Sequence, residues 1–503
     1  MEQNRRQFLT GGVTLAAVTA SAFAESLSRK DVAPDKGAQT GRCPVLYNGD
    51  EDYYYFTGPE RVDRAYLEGI VNRLADAKVT IFSNTFYAAG RCFHNTRVGV
   101  RLDQDPFYEY SSTTGRYGDV RYWRVAENFR RLANEGNDPM KVFVTACHQR
   151  GLKFLACLRM NDRHGIYVKH PPQLLQRHPE MVLKGENGKP IGGMDFQHPE
   201  VRDHIFKVME EMATVYDIDG LELDWMRWCR MFSADVSREK RFAIMTEYHR
   251  RIRNMLDDAG KPKGKALLLS VRVPSTLGEC QSLGFDVPTY VREGLVDFVC
   301  PSDFLFVDPH LPVADYARIV RGSKVKLLPS LHAPSGRSAG DATTENLRAI
   351  AHSYYAQGAD GISLYNYYTR RERNFPENYQ AMEEAGDPAV LAAGPREYVF
   401  NPIWGGRTSQ TGRKIDYRAE VLRSETGKRV VFPLFIKEDM TRIRASLKWK
   451  IENLTSEDDI RIDVNGKALE LAKSRKRYFS TLVSNYKWNK FSWLLIGHSA
   501  GRG

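Results

Sequence analysis

The sequence predicts a fold of the α/β class: a (β/α)8 TIM barrel followed by a small C-terminal β-sandwich. Three observations support this prediction: short apolar runs of β-like composition, amphipathic segments between them, and alternating polar and apolar residues from about residue 395. The chain has 503 residues, more than one ordinary core accommodates, which favours at least two domains.

Eight apolar runs carry the barrel prediction. They lie at residues 43–48, 79–85, 152–160, 220–226, 266–273, 297–303, 326–332 and 361–367. Amphipathic segments separate them, the clearest at 199–216 and 239–258. Eight strands alternating with helices favour a closed parallel barrel, with enlarged loops after the second and third strands. A doubly wound open sheet is the alternative, but the GxGxxG signature of such sheets is absent from the sequence.

The N-terminus predicts a targeting segment. Arg5 and Arg6 precede a modest apolar run that ends in the small-residue pattern Ala22-Phe23-Ala24. This pattern is typical of a twin-arginine signal peptide over residues 1–24, followed by a linker over 25–42. No other apolar stretch approaches the ~20 residues that a membrane span requires. We therefore expect a soluble protein that is exported to the periplasm or secreted.

The barrel is expected over 43–392 and the β-sandwich over 395–503. In the second region, apolar and polar residues alternate, and Asn465-Gly466 predicts a tight turn between two strands. The last thirty residues do not continue the alternation.

Composition excludes several classes of function. The net charge is +11, but the basic residues are spread along the chain without a nucleic-acid motif, so we expect no nucleic-acid partner. A positive field suits an anionic polysaccharide instead. The seven cysteines are widely spaced without a CxxC pair, and the twelve histidines form no HExxH motif. We expect neither a metal site nor a disulfide framework, and no cofactor.

The fourth predicted strand carries two acids within an apolar run. Alternation directs Leu221, Leu223 and Trp225 toward the helices, and it directs Glu222 and Asp224 into the barrel. Asp224 falls at the C-terminal end of the strand, where barrel enzymes keep their catalytic groups. Glu222 lies one layer deeper, where we expect a supporting role, for example as an ion-pair partner of Arg159.

Other strand ends supply the remaining candidates. Val299 and Pro301 lead to Asp303 at the mouth of strand six, and the candidates for substrate binding are Arg159, Asn161, Trp228, Arg272, His332, Tyr365 and Asn366. Glycoside cleavage needs two carboxyl groups, one ionised and one protonated. We predict that Asp224 is the nucleophile or base and Asp303 the general acid, with Glu222 as their support. The two strand-end arginines would bind substrate or pair with carboxylates.

Two alternatives stay open. The first is a non-catalytic carbohydrate-binding barrel, and the second is a proton donor at Glu279 in the loop after strand five. A third, a barrel isomerase or aldolase, is disfavoured because no lysine falls at an inward strand position. Chemistry with glutamates on strands four and seven is disfavoured as well, since residues 326–332 contain no acid.

The segment DGLELDWMRW (219–228) resembles the strand-four signature of family-ten-like glycosylhydrolases, the glycoside hydrolase-like TIM-barrel proteins of polysaccharide-degrading bacteria. The likeness covers roughly 43–390, and it implies an exported barrel with a C-terminal β-sandwich and glycoside hydrolase-like chemistry. The segment is also similar to the DGxDxDxE motif of chitinases. Met226 stands where that motif has its catalytic glutamate. Because methionine cannot donate a proton, Asp303 is the candidate for the general acid instead.

Overall fold

The computed structural model describes most of the predicted barrel and separate strands near the two ends of the chain. The described residues are 13–16, 42–49, 61–105, 121–163, 171–303, 311–332, 344–367, 377–398, 429–431, 436, 445–451, 459–470, 475–479 and 493–499. They fall into two compact units, one within 33–401 and one made of the C-terminal strands with Val13–Ala16. The predicted boundaries of the four segments stay predictions.

The first unit contains a strand in each of the eight predicted runs. The strands are β1 (Val45–Gly49), β2 (Ile81–Ala88), β3 (Lys153–Arg159), β4 (Gly220–Asp224), β5 (Leu268–Pro274), β6 (Phe298–Ser302), β7 (Lys326–Leu327 with Ser330–His332) and β8 (Ile362–Tyr365). All of them pair in parallel, in the order of the chain. The predicted α/β class with a parallel sheet is confirmed.

The divided strand β7 joins the two ends of this series. Its first segment pairs with β6, and its second segment pairs with β8, which in turn pairs with β1. Between the segments, the Leu328 amide donates to the Val299 carbonyl at 2.9 Å, and the Pro329 carbonyl accepts from Ser363 at 3.1 Å. The ladder therefore returns to its start, as in a barrel, and the described strands do not form the open sheet.

Helices follow the strands, as the amphipathic segments predict. Those with described bounds are Arg64–Asp76, Arg121–Asn134, Pro139–Gln149, Gln173–Arg177, Pro199–Val215, Arg238–Gly260, Leu277–Leu283, Val287–Arg292, Val313–Val320, Thr344–Ala356, Glu377–Ala385 and Pro388–Ala393. The long helix after β4 begins where the Ser237 side chain accepts from the Lys240 amide, which satisfies one of its free N–H groups. Among the described residues, none of the helices combines the length and apolar character that a membrane span requires.

The strands separate two apolar layers, in keeping with their alternation. Leu221, Leu223 and Trp225 of β4 and its following residue pack in the large cluster that contains the helices, as predicted. Inside the ring of strands, a small separate cluster is formed by Leu46, Ile81, Leu155, Phe298, Cys300 and Leu328. These residues come from the early parts of their strands. The interior of the barrel is therefore apolar at its N-terminal end, and polar side chains occupy the levels above.

The described strands of the second unit form two small sheets. Val13–Ala16 pairs in parallel with Arg429–Val431 and Ile460–Val464, which the sequence did not predict. Residues Asn465 and Gly466 both have positive φ angles, of 50° and 79°, and join Ile460–Val464 to Lys467–Ala468, so the predicted turn is confirmed. Ser446–Ile451, Trp493–Ser499 and Arg475–Phe479 form an antiparallel sheet. Assembly of these sheets into a sandwich stays a prediction, as does removal of residues 1–24.

Gly220 permits the close approach of β4 to β5 and provides a test of this register. A Cβ atom at this position would lie 2.1 Å from the Leu268 carbonyl oxygen and 2.7 Å from its nitrogen. Backbone atoms cannot yield as a flexible side chain does, so we expect Gly220→Ala to lower the free energy of unfolding by about 1–3 kcal/mol. Urea titration of the full chain measures this change.

Gly278→Ala is the matched control, because a Cβ atom there meets nothing within 4 Å. Its urea midpoint should stay at or above that of the wild type. Equal midpoints for the two variants would contradict the tight register of β4 and β5.

Candidate active site

A row of charged side chains crosses the C-terminal ends of three neighbouring strands. Asp224 of β4 lies opposite Arg159 of β3 and opposite Arg272 of β5. All three side chains are buried, with residue exposures of 0%, 1% and 0%. The predicted inward direction of Asp224 agrees with these contacts, since both of its neighbours in register are charged.

The two carboxylate oxygens of Asp224 have different surroundings. Oδ1 accepts hydrogen bonds from Arg272 Nη1 at 2.8 Å, from the Met226 amide at 2.9 Å and from the Arg227 amide at 3.2 Å. Oδ2 is buried and has no hydrogen-bond partner among the described residues. One oxygen is therefore fixed by three donors, and the other is left for an interaction that those residues do not supply.

Arg272 connects four strands. Besides its bond to Asp224, its Nε donates to Ser302 Oγ at 3.0 Å, and its Nη2 donates to the Asp303 carbonyl at 3.2 Å. Its guanidinium carbon lies 3.4 Å from the ring centroid of Tyr365 on β8. Of the two roles expected for Arg272, these contacts support carboxylate pairing. A guanidinium at this distance stabilises the negative charge of Asp224.

Glu222 lies one level deeper and is fully buried. Its Oε2 accepts from Asn48 Nδ2 at 2.9 Å, and it stands opposite Cys157 rather than Arg159 in the register of β3 and β4. The expected ion pair of Glu222 with Arg159 is wrong, because the register places Arg159 opposite Asp224, one level above Glu222. Burial raises the pKa of the Glu222 carboxyl, and the nearby charge of Asp224 acts in the same direction.

Arg159 has a different carboxylate neighbour. Its Nη1 lies 3.7 Å from Asp162 Oδ2, and its Nη2 donates to the Tyr365 hydroxyl at 3.4 Å. Arg227 Nε approaches the same oxygen of Asp162, at 3.9 Å. Asp162 was not among the residues predicted from the sequence, although an acid three residues after a strand-end arginine is a signal for such a pair.

Two residues expected to contact sugar are instead engaged within the protein. Asn161 Nδ2 donates to the Met194 and Arg230 carbonyls at 3.0 and 2.9 Å, and its Oδ1 accepts from the Met194 amide at 2.7 Å. Tyr365 is fully buried between the two strand-end arginines, and burial raises the pKa of its hydroxyl. Both side chains are held by contacts within the protein, and their role as sugar contacts stays a prediction.

Successive residues of β6 alternate between the inside of the ring and the side of the helices. Phe298 and Cys300 belong to the cluster inside the ring, Val299 packs in the outer cluster, and Ser302 bonds to Arg272. Asp303 follows the last strand residue, and its position is therefore not set by strand alternation. It is 3% exposed, and its carbonyl accepts hydrogen bonds from both Arg272 and Ser302.

Two of the remaining candidates have unusual backbone angles. Trp228, half-buried, has φ of 63°, and Asn366, buried, has φ of 46°. Positive φ is rare outside glycine and costs roughly 1–3 kcal/mol, and such residues concentrate at functional sites. Arg227 lies over the Trp228 ring, 5.1 Å from its centroid, and the Asn366 amide donates to the Asn48 carbonyl.

His332 and Glu279 complete the set. His332 ends β7 opposite Tyr365, and its side chain lies outside the described part of the chain. Glu279 is buried at the start of the helix after β5, and its amide donates to Thr276 Oγ1. Within the described ranges, no group of three or more histidine, cysteine, aspartate or glutamate side chains is arranged to hold a metal ion.

The family comparison relates this site to glycoside hydrolase-like proteins. Residues 108–248 match the family model described as Glycosyl hydrolase-like 10, which confirms the resemblance predicted from the strand-four segment. The matched segment includes β3 and β4, and with them Arg159, Glu222 and Asp224. The match supports a carbohydrate-active protein. No curated protein matches this chain.

Solved structures with similarity to this chain include several glycosidases. α-L-Fucosidase isoenzyme 2 from Paenibacillus thiaminolyticus is 14% identical over 70% of this chain and 50% of its own, with a TM-score of 0.43. The PgaB (BpsB) glycoside hydrolase domain from Bordetella bronchiseptica is 13% identical over 69% and 99%, with a TM-score of 0.44. Chitinase ChiW from Paenibacillus sp. is 12% identical over 70% and 43%, with a TM-score of 0.43. This chain thus spans about half the length of the fucosidase.

The raised pKa of Glu222 predicts a pH-dependent effect of Glu222→Gln. The folded protein favours the protonated carboxyl, so the wild type loses stability as the pH rises from the ordinary value of 4.5 to the raised pKa. Glutamine carries no charge at any of these values. We expect the variant to gain stability relative to the wild type, by about 1.4 kcal/mol for each pH unit in that window.

Urea titrations of both proteins between pH 4.5 and 8 give the difference directly, because other titrating groups cancel. A difference that stays constant with pH would contradict a buried carboxyl with a raised pKa.

Proposed function

We propose that the protein is a glycoside hydrolase that cleaves a poly- or oligosaccharide with Asp224 as nucleophile or base and Asp303 as general acid. The observation that carries this proposal is the asymmetry of Asp224, whose Oδ1 has three donors while Oδ2 has none among the described residues. An oriented carboxylate with one available oxygen suits attack on an anomeric carbon or on a water molecule.

The surroundings of the two acids support unequal roles. Arg272 donates to the Asp224 carboxylate at 2.8 Å and fixes its orientation, as a nucleophile or base requires. Toward Asp303, Arg272 donates to the backbone carbonyl. The arginine is therefore bonded to the carboxylate of one acid and to the backbone of the other, in keeping with different roles for the two residues.

The N-terminal sequence supports export as part of this proposal. Arg5-Arg6 and the small residues at Ala22-Phe23-Ala24 are typical of a twin-arginine signal. A polysaccharide hydrolase in the periplasm or outside the cell would meet its substrate there.

The test is reducing-sugar release from neutral and anionic polysaccharides by the full chain. Asp224→Asn and Asp303→Asn should each lose activity by at least about 100-fold, because each removes one of the two carboxyl groups that the reaction needs. Asp258→Asn is a matched control, since Asp258 is exposed and pairs only with Lys261 among the described residues. Urea midpoints establish that the variants are folded.

Activity that survives Asp224→Asn would overturn the assignment of β4. A wild-type protein that binds polysaccharides without hydrolysing any of them would support the non-catalytic carbohydrate-binding barrel instead.

An anionic substituent on the substrate is the finer part of the proposal. Arg230 is half-buried, six residues after Asp224, and its backbone carbonyl is fixed by Asn161 and Arg163. Within the described residues its guanidinium has no hydrogen-bond acceptor or ion-pair partner. A carboxylate or sulfate group on the sugar would supply one.

Arg230→Gln should raise KM for an anionic polysaccharide by about 10-fold or more, since a hydrogen bond to a charged group contributes roughly 1.5–3 kcal/mol. Neutral substrates should show little change. Arg238→Gln serves as control, because Arg238 is an exposed arginine at the start of the helix after β4. Equal effects of Arg230→Gln on both substrate classes would contradict the anionic preference.

A further inference from the structure

The contacts of Arg272 point to a positioning role for Ser302, and this inference rests on the proposed function of Asp224. We propose that Ser302 holds the Arg272 guanidinium so that it bonds to only one oxygen of Asp224. The other oxygen, Oδ2, is thereby kept available for the reaction. Ser302 does not touch the reacting atoms in this proposal and acts through Arg272.

Arginine and carboxylate groups tend to pair through two parallel hydrogen bonds. In this site the guanidinium reaches Asp224 through Nη1 alone, at 2.8 Å. Its Nε is directed to Ser302 Oγ at 3.0 Å, and its Nη2 to the Asp303 carbonyl at 3.2 Å. Since the guanidinium is planar and rigid, the two bonds toward β6 fix the direction of the third.

The Ser302 hydroxyl can hold the guanidinium because its own proton is already donated to another acceptor. It donates to the Asp303 carbonyl at 2.8 Å, so its oxygen accepts from Arg272 Nε. Ser302 is itself held in register opposite Pro274, at the end of β5. The Tyr365 ring, 3.4 Å from the guanidinium carbon, restricts movement out of the plane. Rotation within the plane is the movement that Ser302 prevents.

Loss of the Ser302 hydroxyl leaves the Nε of a fully buried guanidinium without an acceptor. The nearest way to satisfy the cation is rotation toward Asp224, which would bring a second nitrogen to Oδ2. The carboxylate would then be stabilised in its charged form by two bonds and would lose its available oxygen. Ser302 therefore keeps Asp224 reactive by preventing a second hydrogen bond from Arg272 to its carboxylate.

The first test is a crystal structure of full-length Ser302→Ala, compared with the wild type. We expect an Arg272 nitrogen within hydrogen-bond distance of Asp224 Oδ2 in the variant. Arg272 that keeps one bond to Asp224, through Nη1, would overturn the proposal. This readout does not depend on activity, so it tests the role of Ser302 even where no polysaccharide is hydrolysed and the proposed function fails.

The second test is kinetic. Ser302→Ala should lower kcat by about 10- to 100-fold with little change in KM, as expected for a misplaced reacting group. The acid limb of kcat/KM should move to lower pH, because a second hydrogen bond favours the carboxylate form. A merely structural role for Ser302 would lower the urea midpoint and leave the acid limb in place, which would also overturn the proposal.

Two variants sharpen this comparison. Ser302→Thr keeps the hydroxyl and should restore most of kcat. Ser270→Ala removes a buried hydroxyl two residues before Arg272 on β5, which lies 3.6 Å from Cys300 Sγ, and it should leave the acid limb unchanged. An equal shift of the acid limb in Ser270→Ala would contradict a specific role for Ser302.

Discussion

The buried ion pair of Arg272 and Asp224 is the contact on which the rest of the site depends. Removal of two charges from water costs several kcal/mol per ion, and a compensating set of hydrogen bonds must offset this cost. Here the donors and acceptors come from β4, β5 and β6 and from the residues that follow β4. The three strands must therefore end at the same level. A change of register between them would leave buried charges without their hydrogen bonds.

Polarity inside the ring of strands rises from one end to the other. Leu46 and Leu155 belong to the apolar layer, Asn48 and Glu222 to a hydrogen-bonded layer above it, and Asp224 with Arg272 to the charged layer at the mouth. The same strands supply each layer in turn. This separation lets the lower interior stabilise the barrel, while the upper layer carries groups that would be costly elsewhere. Glu222 lies between the two, where burial favours its neutral form.

Strand positions and the inward direction of Asp224 could be predicted from the sequence, because both follow from periodicity within one strand. The level of Arg159 relative to Glu222 could not, since it depends on the register between strands. The end of β6 was predicted one residue too late, since the strand ends at Ser302 and Asp303 follows it. The engagement of Asn161 and Tyr365 arises from loops and strands distant in sequence, and a single strand carries no signal for such contacts. The catalytic roles themselves stay predictions.

The divided strand β7 is a weakly paired position in the ring of strands, called the seam below. Each of its short segments is paired with one neighbour, so fewer backbone hydrogen bonds hold the ring together there than between β3, β4 and β5. Local opening in proteins begins where cooperative hydrogen bonding is thinnest. Amide protons at the seam should exchange with solvent well before those of β4. Local opening would then break the backbone hydrogen bonds of β7, the strand that His332 ends. The ion pair between Asp224 of β4 and Arg272 of β5 would stay intact.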